Sequence, residues 1–228
     1  MPATEMTATA SWVSVEGLNG VGKTYLTGRL AARLGASCRL LSELTDHGTG
    51  RLTGQVIDAL LRGGGTFLRT GHPVTETFAL LALKVYEHEH LTHRAQPPPA
   101  LVLEDRGPDT VAVYQAAILT GGQQPGMAAE VVRRITEVAM RWRPLPARTL
   151  LLVDDLDLCL RRFGARLERP VDPADRDLLV RVDRLYGDLA AAHPDRIHVI
   201  DRRGRGESDV LDEMQSCCRS VMKEAVTR

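Results

Sequence analysis

One segment limits what this chain can fold into. Gly17-Leu18-Asn19-Gly20-Val21-Gly22-Lys23-Thr24 fits the pattern G-x-x-x-x-G-K-[ST], a loop that cradles phosphates with its main-chain N–H groups. The flanks fit as well. Ser11 to Glu16 is short, β-branched and largely apolar, which predicts a buried strand. Leu26, Leu30 and Leu34 recur at helical spacing, so the loop opens a helix. Glycines let the backbone turn its amides inward, and the helix N-terminus adds partial positive charge. Lys23 is expected to reach the β- and γ-phosphates and Thr24 to ligate Mg²⁺. A nucleoside triphosphate is therefore expected against Gly17, Asn19, Gly20, Val21, Gly22, Lys23, Thr24 and Tyr25.

A chain of 228 residues accommodates one α/β domain, expected over 10–228 after a small, polar lead-in at 1–9. The formal net charge is zero. That speaks against a nucleic-acid polymer or an anionic membrane as partner, because such affinity comes from excess Lys and Arg. No apolar run reaches the roughly 18–20 residues of a membrane span, and no basic-then-apolar N-terminal pattern marks secretion. Cys38, Cys159, Cys217 and Cys218 lack metal-ligand spacing. Reduced thiols in a cytoplasmic protein are the expectation.

Strand candidates at about 11–16, 38–42, 100–105, 148–154 and 196–201 alternate with helical stretches. The alternation predicts an α/β fold: a five-stranded parallel sheet, helices on both faces, ligands at the carboxyl ends of the strands. A helix with Leu52, Val56, Leu60 and Leu61 inward is expected, then a flexible break from Arg62 to Thr66. A long helix at about 74–93 is expected to turn Phe78, Leu81, Ala82 and Val85 inward. His88, His90 and His93 close that helix, but their spacing does not complete a metal set, and a solvated helix end is the plain reading. Helix 175–192 places Tyr186 at core spacing.

Polar groups gather at the expected strand ends. Asp105 can hold the metal with Thr24, and Arg106 can grip a second phosphate bidentately. Asp154-Asp155 ends the fourth strand. Arg161, Arg162, Arg166 and Arg169 then fall within nine residues, followed by Pro170 and Pro173. A basic lid over about 161–174 is expected, closing over the triphosphate and stabilising charge in transit.

These residues together resemble the thymidylate kinases among the P-loop nucleoside monophosphate kinases, over nearly the whole chain. The carriers are Val15-Glu16-Gly17 through Thr24, Asp105-Arg106 with Thr110 and Tyr114-Gln115, Thr149 to Asp154 with Leu160-Arg161-Arg162 and Arg166, and Val199-Ile200-Asp201. The resemblance implies transfer of the ATP γ-phosphoryl group to a nucleoside monophosphate with Mg²⁺. It assigns catalysis to Lys23, Arg106, Arg162 and Arg166, and metal to Thr24 and Asp105. It assigns the acceptor to Glu16, Arg51, Leu80, Lys84, Arg106, Thr110 and Gln115. A homodimer is a further implication.

The departures from the family pattern cluster on the acceptor side. Asn19 stands where an acidic residue is usual, and Ser42-Glu43-Leu44-Thr45 stands for Arg-Glu-Pro-Gly, leaving Arg51 as a substitute arginine. Leu80 and Lys84 stand for a base-stacking Phe and an Arg, and Gly107-Pro108 follows Asp105-Arg106 where an aromatic or His is usual. An intact donor half beside a rebuilt base-reading half predicts a changed acceptor, a dTMP-like or modified nucleotide. Two other readings stay open: a kinase of a nucleoside or other small-molecule hydroxyl, and a P-loop ATPase that needs no acceptor.

Overall fold

The computed structural model describes residues 10–46, 52–62, 66–94, 98–122 and 125–226. Its strands are β1 (Ser11–Gly17), β2 (Cys38–Leu41), β3 (Leu101–Asp105), β4 (Arg148–Val153) and β5 (Ile197–Asp201). They form one sheet in the order β2-β3-β1-β4-β5, and every pairing is parallel. Crossover connections demand helices between the strands. These are α1 (Lys23–Leu34), α2 (Leu52–Leu61), α3 (Pro73–Arg94), α4 (Pro108–Thr120), α5 (Pro125–Met140), α6 (Leu156–Arg166), α7 (Pro173–Ala192) and α8 (Glu207–Val226).

The two faces of β1 differ in chemistry. Val13 and Val15 point to α1 and α8 and pack with Leu26, Leu30, Leu150, Leu211 and Met214. Leu26 and Leu30 are fully enclosed, each contributing about 1.5–3 kcal/mol by leaving water. Ser14 and Glu16 point to the other face, which α4 covers, and are also fully buried. A buried polar face has to be hydrogen-bonded. Ser14 and Thr149 hydroxyls meet at 3.1 Å, and Thr149 donates to Asp109 at 2.8 Å. Arg196 grips Asp109 with two bonds of 2.6 and 3.0 Å.

A second buried polar cluster lies under β3. Glu104 accepts two bonds from Arg143 (3.1 and 3.0 Å) and one from Lys84 (3.1 Å). Lys84 also donates to Glu87 at 3.0 Å, and the Arg143 guanidinium lies 4.8 Å from the Trp12 ring centroid. Burial opposes the charge on Lys84 and on Glu104, but their partners outweigh it. The Lys84 pKa is raised and that of Glu104 lowered.

Two helix faces differ from the sequence expectation. On α3, Leu80, Leu81, Leu83, Lys84 and Glu87 point inward, whereas Phe78 is 60% exposed and Ala82 is exposed. Lys84 and Glu87 carry the inward face because Lys84 pairs with both Glu87 and Glu104, which an apolar pattern cannot reveal. On α2, Thr53, Gly54, Ile57 and Leu60 are buried, while Leu52 and Leu61 are half-exposed. Beyond β4, residues 156–166 form α6, so the first part of the expected lid is helix whose Phe163 and Gly164 are buried. The Asp155 side chain caps it by accepting from Leu158 N–H at 2.8 Å.

Candidate active site

The glycine loop joins the carboxyl end of β1 to α1. Backbone shape calls for glycine at both Gly20 and Gly22, and packing calls for it at Gly20 as well. Gly20 has φ 82°, and a Cβ there would run into the Cys159 carbonyl of α6. Gly22 has φ 89°, and a Cβ would meet the Arg202 guanidinium at 2.7 Å. Arg202, just past β5, donates to the Val21 carbonyl. The loop is thus clamped between α6 and the end of β5. The Val21 side chain is buried in the core, and Gly17 sits against the β4 backbone, so both support the loop from behind.

Lys23 is 4% exposed. Its ammonium donates to the carbonyls of Gly17 (2.8 Å) and Leu18 (2.6 Å). Burial, then the nearby Arg106, bring its pKa down to about 7. A groove of about 300 Å³ runs along the loop, lined by Gly20, Gly22, Lys23, Thr24, Tyr25, Arg106, Arg162 and Arg166. Arg162 is held there by Asp154 at 2.9 Å, and Arg166 lies 5.2 Å from the Phe163 ring centroid. Tyr25 is half-exposed and donates to Glu207 at 3.0 Å.

A larger cavity of about 660 Å³ adjoins the groove. Its polar lining includes Asn19, Glu43, Lys84, Thr110 and Gln115, and its apolar walls include Leu44, Phe67, Leu80, Tyr114 and Phe163. Thr24, Arg106 and Arg166 line both spaces. Arg106 has φ 65°, an uncommon conformation for a side-chain-bearing residue and one that functional sites often retain. Its Nε lies 2.7 Å from Glu43 Oε1, and its Nη2 donates to Asn19 Oδ1 at 3.0 Å. Asn19 Oδ1 also accepts from Tyr114 Oη at 2.7 Å. Burial works against the Arg106 charge, but Glu43 together with Tyr114, Tyr186 and Asp105 outweighs it, and the pKa is raised.

Asp105 sits beside Thr24 and Lys23. Both its carboxylate oxygens are buried without a hydrogen-bond partner among the described residues. Burial raises its pKa, tempered by Thr24 and then Arg106. An orphaned carboxylate facing a hydroxyl fits a hard divalent cation, taken directly or through water.

The sequence-selected residues separate into groups. Thr110, Gln115, Leu80, Lys84 and Arg106 line the larger cavity, although the Lys84 ammonium is already shared by Glu87 and Glu104. Asn19, expected against the triphosphate, lines the larger cavity. Glu16 is fully buried and takes no place in the lining. It accepts from Gly107 N–H (2.7 Å), from Thr110 and from Tyr186 (3.3 Å). Burial, then Asp109, raise its pKa to about 7. Arg51 lies outside the described residues. Sequence reasoning missed Glu43, Phe67, Tyr114 and Phe163. Tyr186 is core as expected, yet its hydroxyl reaches the Glu16–Thr110 pair. Glu43 and the Tyr114-Gln115 pair carried a signal, through the family segments they stand in.

Comparison with known proteins identifies the family. The thymidylate kinase family model matches residues 15–213. The thymidylate kinase of Bifidobacterium longum (strain NCC 2705) is 32% identical over 213 residues, 93% of this chain and 97% of the relative. That of Bordetella petrii is 30% identical, covering 86% and 89%. A crystal structure of thymidylate kinase from Ehrlichia chaffeensis superposes with a TM-score of 0.61 at 20% identity, over 92% of this chain and 99% of that one. The last match speaks to the fold. With a family model spanning most of its length, this chain belongs to the thymidylate kinase family, the enzymes that pass a phosphoryl group from ATP to a nucleotide.

Proposed function

We propose that this chain moves the γ-phosphoryl group of ATP onto the phosphate of dTMP or a modified nucleotide close to it. The observation that carries the reading is the junction of the two spaces. Thr24, Arg106 and Arg166 line both the loop groove and the larger cavity, so a donor and an acceptor phosphate would meet among one hydroxyl and two guanidinium groups.

The protein's part is positioning and neutralisation, since phosphoryl transfer asks for little covalent chemistry. Main-chain amides of Gly20 and Gly22 and the Lys23 ammonium would seat the donor's phosphates. Arg106, held by Glu43 and Asn19, would orient the acceptor phosphate for in-line attack. Arg162 and Arg166 would balance the charge shared between attacking and leaving oxygens. Thr24 and Asp105 would hold Mg²⁺, which would supply further neutralisation of the phosphate charge. The basic stretch from 161 to 174 would serve as the lid.

Glu16 is not the general base that a hydroxyl kinase would need, because its carboxylate is enclosed by Gly107, Thr110 and Tyr186. Val74, Phe78 and Ala82 leave an exposed stripe along α3, with Val74 and Phe78 58% and 60% exposed, and support a homodimer through that helix. Among the described residues no helix is long and apolar enough to cross a membrane, in keeping with a cytoplasmic enzyme. The test is an acceptor screen with dTMP, dUMP, UMP, CMP, AMP, GMP and nucleosides, reading ADP release and the phosphorylated product. Acceptor-dependent ADP with a nucleotide supports the reading; release without an acceptor, or only with nucleosides, overturns it.

A further inference from the structure

The cavity next to the loop groove has an aromatic wall that comes from an unexpected place. Phe67 lies in a short 3₁₀ turn, Thr66–Leu68, between α2 and α3. Its ring lines the cavity and is only partly buried. The ring centroids of Tyr114 and Phe163 lie 5.8 and 5.5 Å away. Leu80, on the α3 side of the same cavity, has no ring to offer.

The backbone that presents Phe67 is unusual. Phe67 has φ 61° and ψ 33°, and Leu68 has φ 58°. Two successive bulky residues in the left-handed region are strained, and such strain persists where surrounding contacts impose it. The contacts are on both sides. Arg69 donates to the Thr66 carbonyl at 2.9 Å and pairs with the fully buried Asp175 at the start of α7. Its guanidinium lies 5.7 Å from the Phe67 centroid. Arg169, from the stretch after α6, donates to the Thr66 hydroxyl at 3.2 Å. Glu76 Oε1 accepts from the Thr70 and His72 main-chain amides at 2.5 and 3.1 Å. A ring needed only to fill core would not require a strained and multiply pinned turn.

We propose that Phe67 is the residue that stacks on the nucleobase of the acceptor, and that the strained turn exists to present its face to the cavity. Every base has a flat π-face, and stacking on an aromatic side chain is a general way to hold one. The Arg69 guanidinium over the same ring, and the tie from Arg169 to Thr66, would fix the ring's angle. This rests on the reading that the acceptor is a nucleotide, and it names the contact that recognises its base.

The test uses the full chain and compares wild type with Phe67→Ala, Phe67→Leu and Phe67→Trp. Wild type is first assayed with the nucleotide panel. If it turns over none of these nucleotides, the acceptor reading falls and this proposal falls with it. With an accepted nucleotide in hand, Phe67→Ala and Phe67→Leu are expected to raise the acceptor KM about 10-fold or more, the loss of one stacked base. The KM for ATP is expected to stay within about 2-fold, since the residue does not line the loop groove. Fluorescence of Phe67→Trp, after subtraction of the wild-type signal, is expected to be quenched by the accepted nucleotide and not by 2-deoxyribose 5-phosphate, which has no base. An unchanged acceptor KM in the alanine and leucine variants, or no base-dependent quenching, overturns the proposal while leaving the kinase reading intact. If Phe67→Ala fails to fold by circular dichroism, the leucine and tryptophan variants decide.

Discussion

Arg106 Nε and Glu43 Oε1 stand 2.7 Å apart on the wall of the acceptor cavity. The pair joins the end of β3 to the segment after β2, and it explains how a buried guanidinium keeps both its charge and its direction. Glu43 itself is held below the usual carboxylate range: burial pushes its pKa up, but Arg106 and then Lys23 pull it down further. Glu43→Gln keeps the shape and removes the charge. We expect the acceptor KM to rise about 10-fold, roughly 1.4 kcal/mol, through loss of the ion pair that aims Arg106, with the KM for ATP little changed. Steady-state kinetics with each substrate varied in turn checks this.

Lys23 gives a pH dependence to ATP binding. Its pKa is brought down to about 7 by burial, and a triphosphate beside it would favour the charged form and raise that value. Below pH 7 the ammonium is charged in both states, so affinity is full. Above pH 7 binding must take up a proton, and affinity falls as pH rises. Calorimetry at pH 8 in two buffers of different ionisation enthalpy should report that uptake; no proton exchange would contradict it. Lys23→Ala should keep the fold and lose about 10²–10³-fold or more in kcat.

Glu16 gives a pH dependence to stability. Its folded pKa is raised to about 7, mainly by burial. The folded state therefore holds a proton that the unfolded state releases near pH 4.5, so this group's contribution weakens as pH rises from about 4.5 to 7 and is level above. Glu16→Gln removes the charge and should lack that loss. Urea midpoints across pH 4.5–8 should show the variant gaining on wild type up to about pH 7; parallel curves would refute the assignment.

The Glu104 cluster is expected to respond sharply to removal of its centre. Glu104→Ala leaves Lys84 and Arg143 enclosed without their shared carboxylate, a change that typically costs about 3–5 kcal/mol. Denaturant unfolding measures it. Replacing Arg166 by alanine makes a contrasting case. This residue is exposed, so stability should hardly move, while kcat falls on the order of 10³-fold if it neutralises the transferring group.

The strands were legible because apolar runs bounded by turns and glycines leave little choice: β1, β3, β4 and β5 fall within a residue of their expected ends. The loop side of the groove was legible because Gly20 to Tyr25 lie in one short stretch of a recognisable motif. The acceptor side was harder, since Glu43, Phe67, Tyr114 and Phe163 come from four separate stretches and meet only through tertiary packing. The inward face of α3 was misread for a related reason. Lys84 and Glu87 look solvent-facing until Glu104 and Arg143 are placed beside them, and an exposed Phe78 looks buried until its neighbours are known.

The central claim is that donor and acceptor phosphates meet where Thr24, Arg106 and Arg166 line two adjoining spaces. Phosphorus NMR of a reaction mixture with ATP, Mg²⁺ and dTMP tests it most directly. The account predicts a nucleoside diphosphate formed one-for-one with ADP, and a reaction slowed at least about 10²-fold with Lys23→Ala. Inorganic phosphate as the main product with wild type, or no change in the ATP resonances across the nucleotide panel, would contradict it.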